Sequence, residues 1–151
     1  EMEERGELVT MGDRVVPAAA FLQAVMARLD GHPITCFVAD RYRQSEFEEA
    51  LSAAGLRVPV VWRGQGFRDG GEDCERFRRA ALDGQVSVRP SLLLRSALSE
   101  AVTVSDDAGN RKIAKARSHG RIDAAAAATL AVAEGQRRAA RPYQPARMVW
   151  A

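Results

Sequence analysis

Two aspartates occupy positions from which a carboxylate could bind a metal ion. Asp40 ends the apolar run at residues 34–39, and Asp123 follows Gly120-Arg121-Ile122 at the start of an alanine-rich segment. In open α/β sheets, sites form at the carboxyl ends of strands, and carboxylate oxygens are the ligands that Mg²⁺ prefers. Position alone leaves alternatives open, since Asp40 could cap the next turn and Asp123 could stabilise a helix N-terminus.

The stretch that leads into Asp123 is rich in basic side chains, namely Lys115, Arg117, His119 and Arg121. On a larger scale, residues 111–147 carry nine basic residues and two acids, a net charge of +7 in a chain whose total is +2, which leaves −5 elsewhere. This asymmetry indicates a polyanion partner, and arginine offers a planar fork that suits phosphate. A solvated basic surface is the alternative interpretation.

The elements that must position these residues alternate between strand and helix patterns. Continuous β-branched and aromatic residues at 34–39 predict a strand buried on both faces, and the small side chains after Asp123 would let a helix lie close to a sheet. The order of elements predicts an α/β domain with a mixed sheet. The predicted elements are strand-forming residues 6–16 with a Gly12-Asp13 turn, helix 17–31, strand 34–39, helix 44–54, strand 58–62, a Gly-rich loop 64–71, helix 72–82 with Phe77, Ala81 and Leu82 inward, helix 90–98, hairpin 101–114 and helix 122–140.

Several classes of protein are disfavoured by what the sequence lacks. Cys36 and Cys74 have no metal-ligand spacing and are expected to be reduced thiols. No apolar stretch approaches the roughly 20 residues of a membrane span, so no membrane partner is expected. The Gly64-x-Gly66 segment lacks the Lys-Ser/Thr of a phosphate-binding loop. Because the chain opens on Glu1, we expect it to be a piece of something longer.

The C-terminal part of the chain resembles the large terminase subunits of tailed bacteriophages. The specific pattern is Asp-x-x-Gly-Asn-x-x-x-x-Lys-x-x-x-x-Gly-Arg-Ile-Asp-x-x-x-Ala, which begins at Asp106 or Asp107 and ends at Ala127. Upstream, Asp40-Arg41-Tyr42 after a strand and the segment at residues 60–66 resemble the middle of the same nuclease domain. The resemblance extends over residues 6–138.

This resemblance implies a ribonuclease H-like fold, with a mixed central sheet flanked by helices. Residues 1–141 would form the nuclease domain and residues 142–151 a C-terminal tail. In that family three acids hold two Mg²⁺ or Mn²⁺ ions, which supply an activated water and stabilise the leaving oxygen. The resemblance assigns Asp40 and Asp123 as catalytic metal ligands. Possible supporting residues are Asp106, Lys115 and His119, and possible DNA contacts are Lys112, Arg117, Arg121, Arg41 and Arg43.

Two features depart from the family pattern. The family's first acid lies on its first strand, which we expect upstream of Glu1, and Asp13 on a turn is a poor substitute. A chain without that acid would cut weakly or not at all. The second departure is Glu100, where the family pattern has Asn.

The implied function is metal-dependent cleavage of concatemeric double-stranded phage DNA during genome packaging, in the cytoplasm of the bacterial host. The implied partners are double-stranded DNA, a terminase ATPase domain, the small terminase subunit and the portal. Two alternatives stay open. One is a resolvase- or integrase-like nuclease of the same fold, and the other is a non-catalytic docking or DNA-binding module of the packaging motor.

Overall fold

Five α-helices and two small sheets make up residues 1–11 and 15–141, which the computed structural model describes. This order of elements confirms the predicted α/β class. The elements are α1 (Ala18–Arg28), β1 (Phe37–Asp40), α2 (Gln44–Ala53), β2 (Val60–Arg63), α3 (Phe67–Leu82), α4 (Leu92–Glu100), β3 (Thr103–Ser105), β4 (Arg111–Ile113) and α5 (Asp123–Ala139), with 3₁₀ turns at Arg41–Arg43 and Lys115–Arg117.

A parallel strand pair forms the first part of the fold. β1 and β2 run side by side with Phe37 opposite Val60 and Asp40 opposite Arg63, and α2 provides the crossover that parallel strands need. The aromatic ring of Phe47 on α2 packs edge-on against Phe37 at 6.1 Å between centroids, and against Trp62 at 5.8 Å. These contacts hold α2 against both strands, and the parallel register places the carboxyl ends of the strands at one edge.

The end of α2 explains why the chain can return so directly to β2. Gly55 adopts a φ of +70°, which glycine reaches without a steric penalty. Its amide donates to the Ser52 carbonyl at 3.0 Å, and the Leu56 amide donates to the Leu51 carbonyl at 2.9 Å. This pair of bonds is the Schellman ending of a helix. It turns the chain back over a small apolar core, which is formed by Leu22 of α1 and by Ala50 and Leu51 of α2.

The second part of the fold is built from α3, α4, α5 and an antiparallel hairpin. β3 pairs with β4, with Thr103 opposite Ile113, and the hairpin packs against α3. At the start of α4, Ser91 caps the Leu94 amide at 3.1 Å. The carboxylate of Glu7 accepts the Leu93 amide at 2.8 Å, and this bond is the main cause of its lowered pKa. The N-terminal segment is thereby attached to α4.

The alanine-rich helix α5 packs closely, as its composition predicts, but mainly against another helix. Ala125 and Ala133 are fully buried, and Thr129 is 4% exposed. α5 contacts α3 most extensively, then α4, and it meets a sheet at β1. The expectation that small residues would bring this helix onto a sheet is therefore correct for only a minor part of its surface.

The Gly-rich loop predicted at residues 64–71 is wrong, because α3 already begins at Phe67. Gly70 and Gly71 lie inside the helix, where the hairpin approaches closely. A Cβ atom on Gly71 would lie 3.3 Å from the Cβ of Asn110, and one on Gly70 would lie 3.4 Å from the Cβ of Lys112. These glycines serve close packing rather than a turn, and sequence alone does not distinguish the two uses.

Other differences from the predictions concern burial and extent. β1 begins at Phe37 rather than residue 34, and all of its residues are half-buried instead of fully buried. On α3, Ala81 and Leu82 face solvent, while Ala80 is buried.

The prediction of a mixed central sheet is also wrong for the described residues, which form one parallel and one antiparallel strand pair. No strand forms at the described residues 6–11, and the Gly12-Asp13 turn and the tail at residues 142–151 lie outside the described part.

A buried charge network joins β2, α3 and α5. Asp73 on α3 is 1% exposed, and its carboxylate accepts two hydrogen bonds of 3.0 Å from the guanidinium of Arg63. Arg137 on α5 donates to the same carboxylate. Arg137 also donates to Glu134 at 2.9 Å, and Arg138 donates to that residue at 2.8 Å. A carboxylate this deeply buried is stable only with such partners.

Replacing Asp73 by asparagine should lower the free energy of unfolding by roughly 3–5 kcal/mol, because it leaves two largely buried arginines without their shared counter-charge. Urea denaturation measures this directly. The matched control is Glu75→Gln on the exposed face of the same helix, where pairs with Arg78 and Arg79 are screened by water, so the midpoint should hardly move. Equal effects of the two substitutions would contradict the role given to Asp73.

The network also predicts how stability depends on pH. Burial raises the pKa of Glu134, but hydrogen bonds and charge from Arg137 and Arg138 outweigh that effect and leave the pKa below its ordinary value of 4.5. The stabilisation from this group is complete above pH 4.5 and is lost as the pH falls through the lower folded-state pKa. Urea denaturation from pH 7 to pH 3 should show a smaller loss of stability for Glu134→Gln than for the wild type. Parallel curves would refute this assignment.

Candidate active site

A cleft of about 910 Å³ opens at the carboxyl ends of β1 and β2. Its walls come from the β2–α3 junction, the hairpin, the 3₁₀ turn Lys115–Arg117 and one face of α5. Of the residues predicted to take part in chemistry, four line this cleft, namely Asp40, Lys112, Lys115 and Arg117. The fold therefore gathers residues that lie more than 70 positions apart in the sequence.

Asp40 is the last residue of β1, and its two carboxylate oxygens have different partners. Oδ1 accepts the backbone amide of Tyr42 at 3.0 Å and so caps the 3₁₀ turn that follows. Oδ2 accepts a hydrogen bond from Nε2 of Gln65, which also lines the cleft. The capping interpretation thus describes one oxygen, and the other is bound by Gln65.

Asp123 is the first residue of α5 and is not used as a hydrogen-bonded cap. The residue before the helix is Ile122, and no side chain caps the first turn. The Asp123 side chain is 70% exposed, and its Oδ1 pairs with Nζ of Lys115 at 2.7 Å. Asp123 itself is not part of the cleft wall, but Lys115 is, so the aspartate lies beside the opening.

The donor set has the right chemistry for a hard cation, because both candidate ligands are carboxylates. In residues 1–11 and 15–141, however, no three His, Cys, Asp or Glu side chains are grouped so that they could hold a metal ion. Asp40 and Asp123 therefore fit a metal site only as part of a larger set of ligands. A metal ion held by these two carboxylates would need further ligands, such as carbonyl or amide oxygens, water or a substrate.

The other predicted residues have varied surroundings. Asp106 accepts the side-chain amide and the backbone amide of Asn110, both at 2.8 Å, and these bonds lower its pKa and close the hairpin turn. Arg43 pairs with Glu46 on α2. Exposed side chains without such a described partner are those of Arg41, Arg117, His119 and Arg121.

Glu100, the departure from the family pattern, lies against the last motif of the chain. Its carboxylate occupies the space that a side chain on Gly120 would need. It also accepts a long hydrogen bond of 3.4 Å from Ser96. Gly120 is therefore the residue that allows the end of α4 to contact the segment leading to Asp123.

Two polar residues of the cleft, Gln65 and Asp73, were not singled out in the sequence analysis. Gln65 contacts Asp40, and Asp73 lines the cleft together with its ion-pair partner Arg63. Arg63 is a candidate phosphate contact by residue type, but its guanidinium is engaged by Asp73. The one available signal was Gly64-Gln65-Gly66, which lies in the segment that resembles the family but assigns no role to Gln65. Nothing local marks Asp73 as buried, because it lies in a helix crowded with charged residues.

Residues 34–138 match the family model described as terminase large subunit, endonuclease domain. The chain belongs to this family. Both candidate acids lie inside the matched segment, and the resemblance described above is confirmed.

The large terminase of phage HK97 is similar to this chain in both sequence and structure. The large terminase subunit of Enterobacteria phage HK97 is 36% identical over 124 residues, which cover 79% of this chain and 25% of that protein. The crystal structure of the HK97 large terminase superposes with a TM-score of 0.78 at 34% identity, over 87% of this chain and 27% of that one. The chain thus spans about a quarter of the length of these relatives. None of the helices described in residues 1–11 and 15–141 is long and apolar enough to cross a membrane.

Proposed function

We propose that this endonuclease domain has a ribonuclease H-like fold and cuts double-stranded DNA in a metal-dependent reaction. The observation that carries the proposal is the placement of Asp40 and Asp123 around one opening, with Lys115 between the cleft and Asp123. Membership of the family supports a nuclease role. In the full large subunit, the reaction would cut concatemeric phage DNA during packaging.

Asp40 and Asp123 would hold two Mg²⁺ or Mn²⁺ ions together with a further ligand. When bound, such ions activate a water molecule and stabilise the leaving oxygen of a phosphodiester. The residues of this chain would orient the DNA and would position the two carboxylates for metal binding. Nζ of Lys115 pairs with Oδ1 of Asp123 at 2.7 Å. This ion pair would have to break before a metal ion could bind the same oxygen.

The exposed arginines beside the opening would contact the DNA backbone. Arg117 lines the cleft, Arg121 lies two residues before Asp123, and Arg41 follows Asp40 directly. Such contacts fix the position of the duplex without reading its sequence, which suits cleavage with little sequence preference. His119 lies in the same segment and could donate a hydrogen bond to phosphate.

The expected partners are those of a packaging motor, namely a terminase ATPase domain, the small subunit and the portal, in the cytoplasm of the bacterial host. One observation favours a different function. Since the described residues hold no group of three potential metal ligands, a non-catalytic docking or DNA-binding module is the competing proposal. The two proposals differ in whether the wild-type subunit cuts DNA and in whether that cleavage depends on the two acids.

The first test is nicking of supercoiled plasmid in Mn²⁺ by the full large subunit and by this domain. Asp40→Asn and Asp123→Asn should each lower the rate by about 100-fold or more, since removing even a residue that supports a metal ligand costs 10- to 100-fold. The control is Asp30→Asn, an exposed residue in the turn after α1, which should cut like the wild type. Undiminished cleavage by both site variants would exclude these metal ligands. Absence of cleavage in the full subunit, with DNA binding retained, would favour the docking module.

The second test measures DNA affinity as a function of salt. Arg117→Gln and Arg121→Gln should each reduce the slope of log K against log salt by about 0.9, because each removes one phosphate contact and its released counterion. Arg78→Gln is the matched control, since its guanidinium is engaged by Glu75 on α3. An unchanged slope in both site variants would move the DNA contacts elsewhere.

A further inference from the structure

Both lysines of this chain are connected to a candidate acid by hydrogen bonds. Lys115 pairs with Asp123 directly. Lys112 connects to Asp40 through one intermediate residue, Gln65. No sequence pattern indicated the connection from Lys112 through Gln65 to Asp40. It gives Gln65 and Lys112 roles that their residue types alone do not suggest.

Gln65 binds the oxygen of Asp40 that does not cap the following turn. Its side-chain amide donates to Oδ2, while the Tyr42 amide donates to Oδ1 at 3.0 Å. With a donor on each oxygen, the carboxylate has a defined rotation about its last bond. An amide suits this position, since it donates a hydrogen bond and adds no negative charge beside Asp40.

The backbone of Gln65 is fixed in turn from the hairpin. Nζ of Lys112 donates to the Gln65 carbonyl at 2.8 Å and lies 4.8 Å from the ring centroid of Phe67. The Gly64 amide, one residue earlier, donates to the Asp69 carboxylate at 2.8 Å. The ammonium group of Lys112 thus has a carbonyl and an aromatic face as partners within the domain.

We propose that Gln65 is a positioning residue for the Asp40 carboxylate and that Lys112 acts through Gln65 rather than on DNA. This inference rests on the proposed metal-binding role of Asp40. It assigns Gln65 a function that no sequence pattern indicated. It also removes Lys112 from the set of predicted phosphate contacts.

The first experiment measures Mn²⁺ binding by calorimetry on the full large subunit. Gln65→Met has nearly the same length but no donor, and Lys112→Met keeps the stem but has no charge. Each should weaken Mn²⁺ binding by about 10- to 100-fold, the usual cost of losing a partner that orients a metal ligand. Lys112→Arg restores a cation that can reach the carbonyl, so it should recover most of the affinity. Unchanged affinity in Gln65→Met would overturn the proposal.

The second experiment separates this role from DNA binding. The slope of log K for DNA against log salt should be the same for Lys112→Met and the wild type. Arg117→Gln, in contrast, should lose about 0.9 in slope and keep its Mn²⁺ affinity. A lower slope in Lys112→Met with intact Mn²⁺ binding would identify Lys112 as a phosphate contact and overturn its positioning role.

The third experiment does not depend on metal binding. A crystal structure of Gln65→Met should show the Asp40 carboxylate rotated or in more than one conformation, and an unchanged orientation would overturn the proposal. If the wild-type subunit bound no Mn²⁺, the proposed metal role of Asp40 would fail, while this structure would still test the positioning role. Urea denaturation of each variant identifies any effect that comes from loss of folding.

Discussion

The rest of the described structure depends on the ion pairs that the buried carboxylate of Asp73 makes. It is bound by one arginine from β2 and one from α5, so three elements meet at a single acid. The surrounding helices bury mostly alanine, including Ala80, Ala97 and Ala133, whose small side chains pack with little directional preference. Hydrogen-bonded charges do have directions, and a buried charge without partners is costly. The network therefore fixes where β2 ends and where α5 lies, and these positions determine the two sides of the cleft.

Much of the fold could be predicted from local pattern, and the exceptions share one physical cause. The periodic apolar residues of α1, the β-branched runs of β1 and β2, and the alanine content of α5 all gave elements of the correct type. The misjudged features depend on neighbours distant in sequence. Gly70 and Gly71 were interpreted as loop residues because the close approach of the hairpin is invisible locally. Asp73 is buried by Arg63 and Arg137, which lie 10 and 64 positions away.

At the candidate site, too, local pattern identified residues but not the distant neighbours that bind them. Asp40 could be singled out because it ends a strand, and Asp123 because of the motif around it, but neither pattern indicates what holds each carboxylate. Residue type suggested that Lys112 and Arg117 have equivalent roles. In the structure Lys112 contacts Gln65, 47 positions away, while Arg117 is exposed at the cleft. Charged residue types in a sequence thus indicate the chemistry of a site. Tertiary contacts are needed to distinguish the side chains that are bound within the protein from those that are free to contact a ligand.

The separation of the two acids along the chain has a consequence for how the domain folds. β1, α2 and β2 form a nearly local unit, because their contacts close short loops at low entropic cost. The contacts of α5 with β1 close a loop of more than 80 residues and carry a much larger contact order. We therefore expect α5 to dock late in folding, so that Asp123 would arrive beside a strand end that has already formed. In a partly folded chain Asp40 would then lie at its strand end without Asp123, and the proposed site would be assembled only once the last helix has packed against the strand.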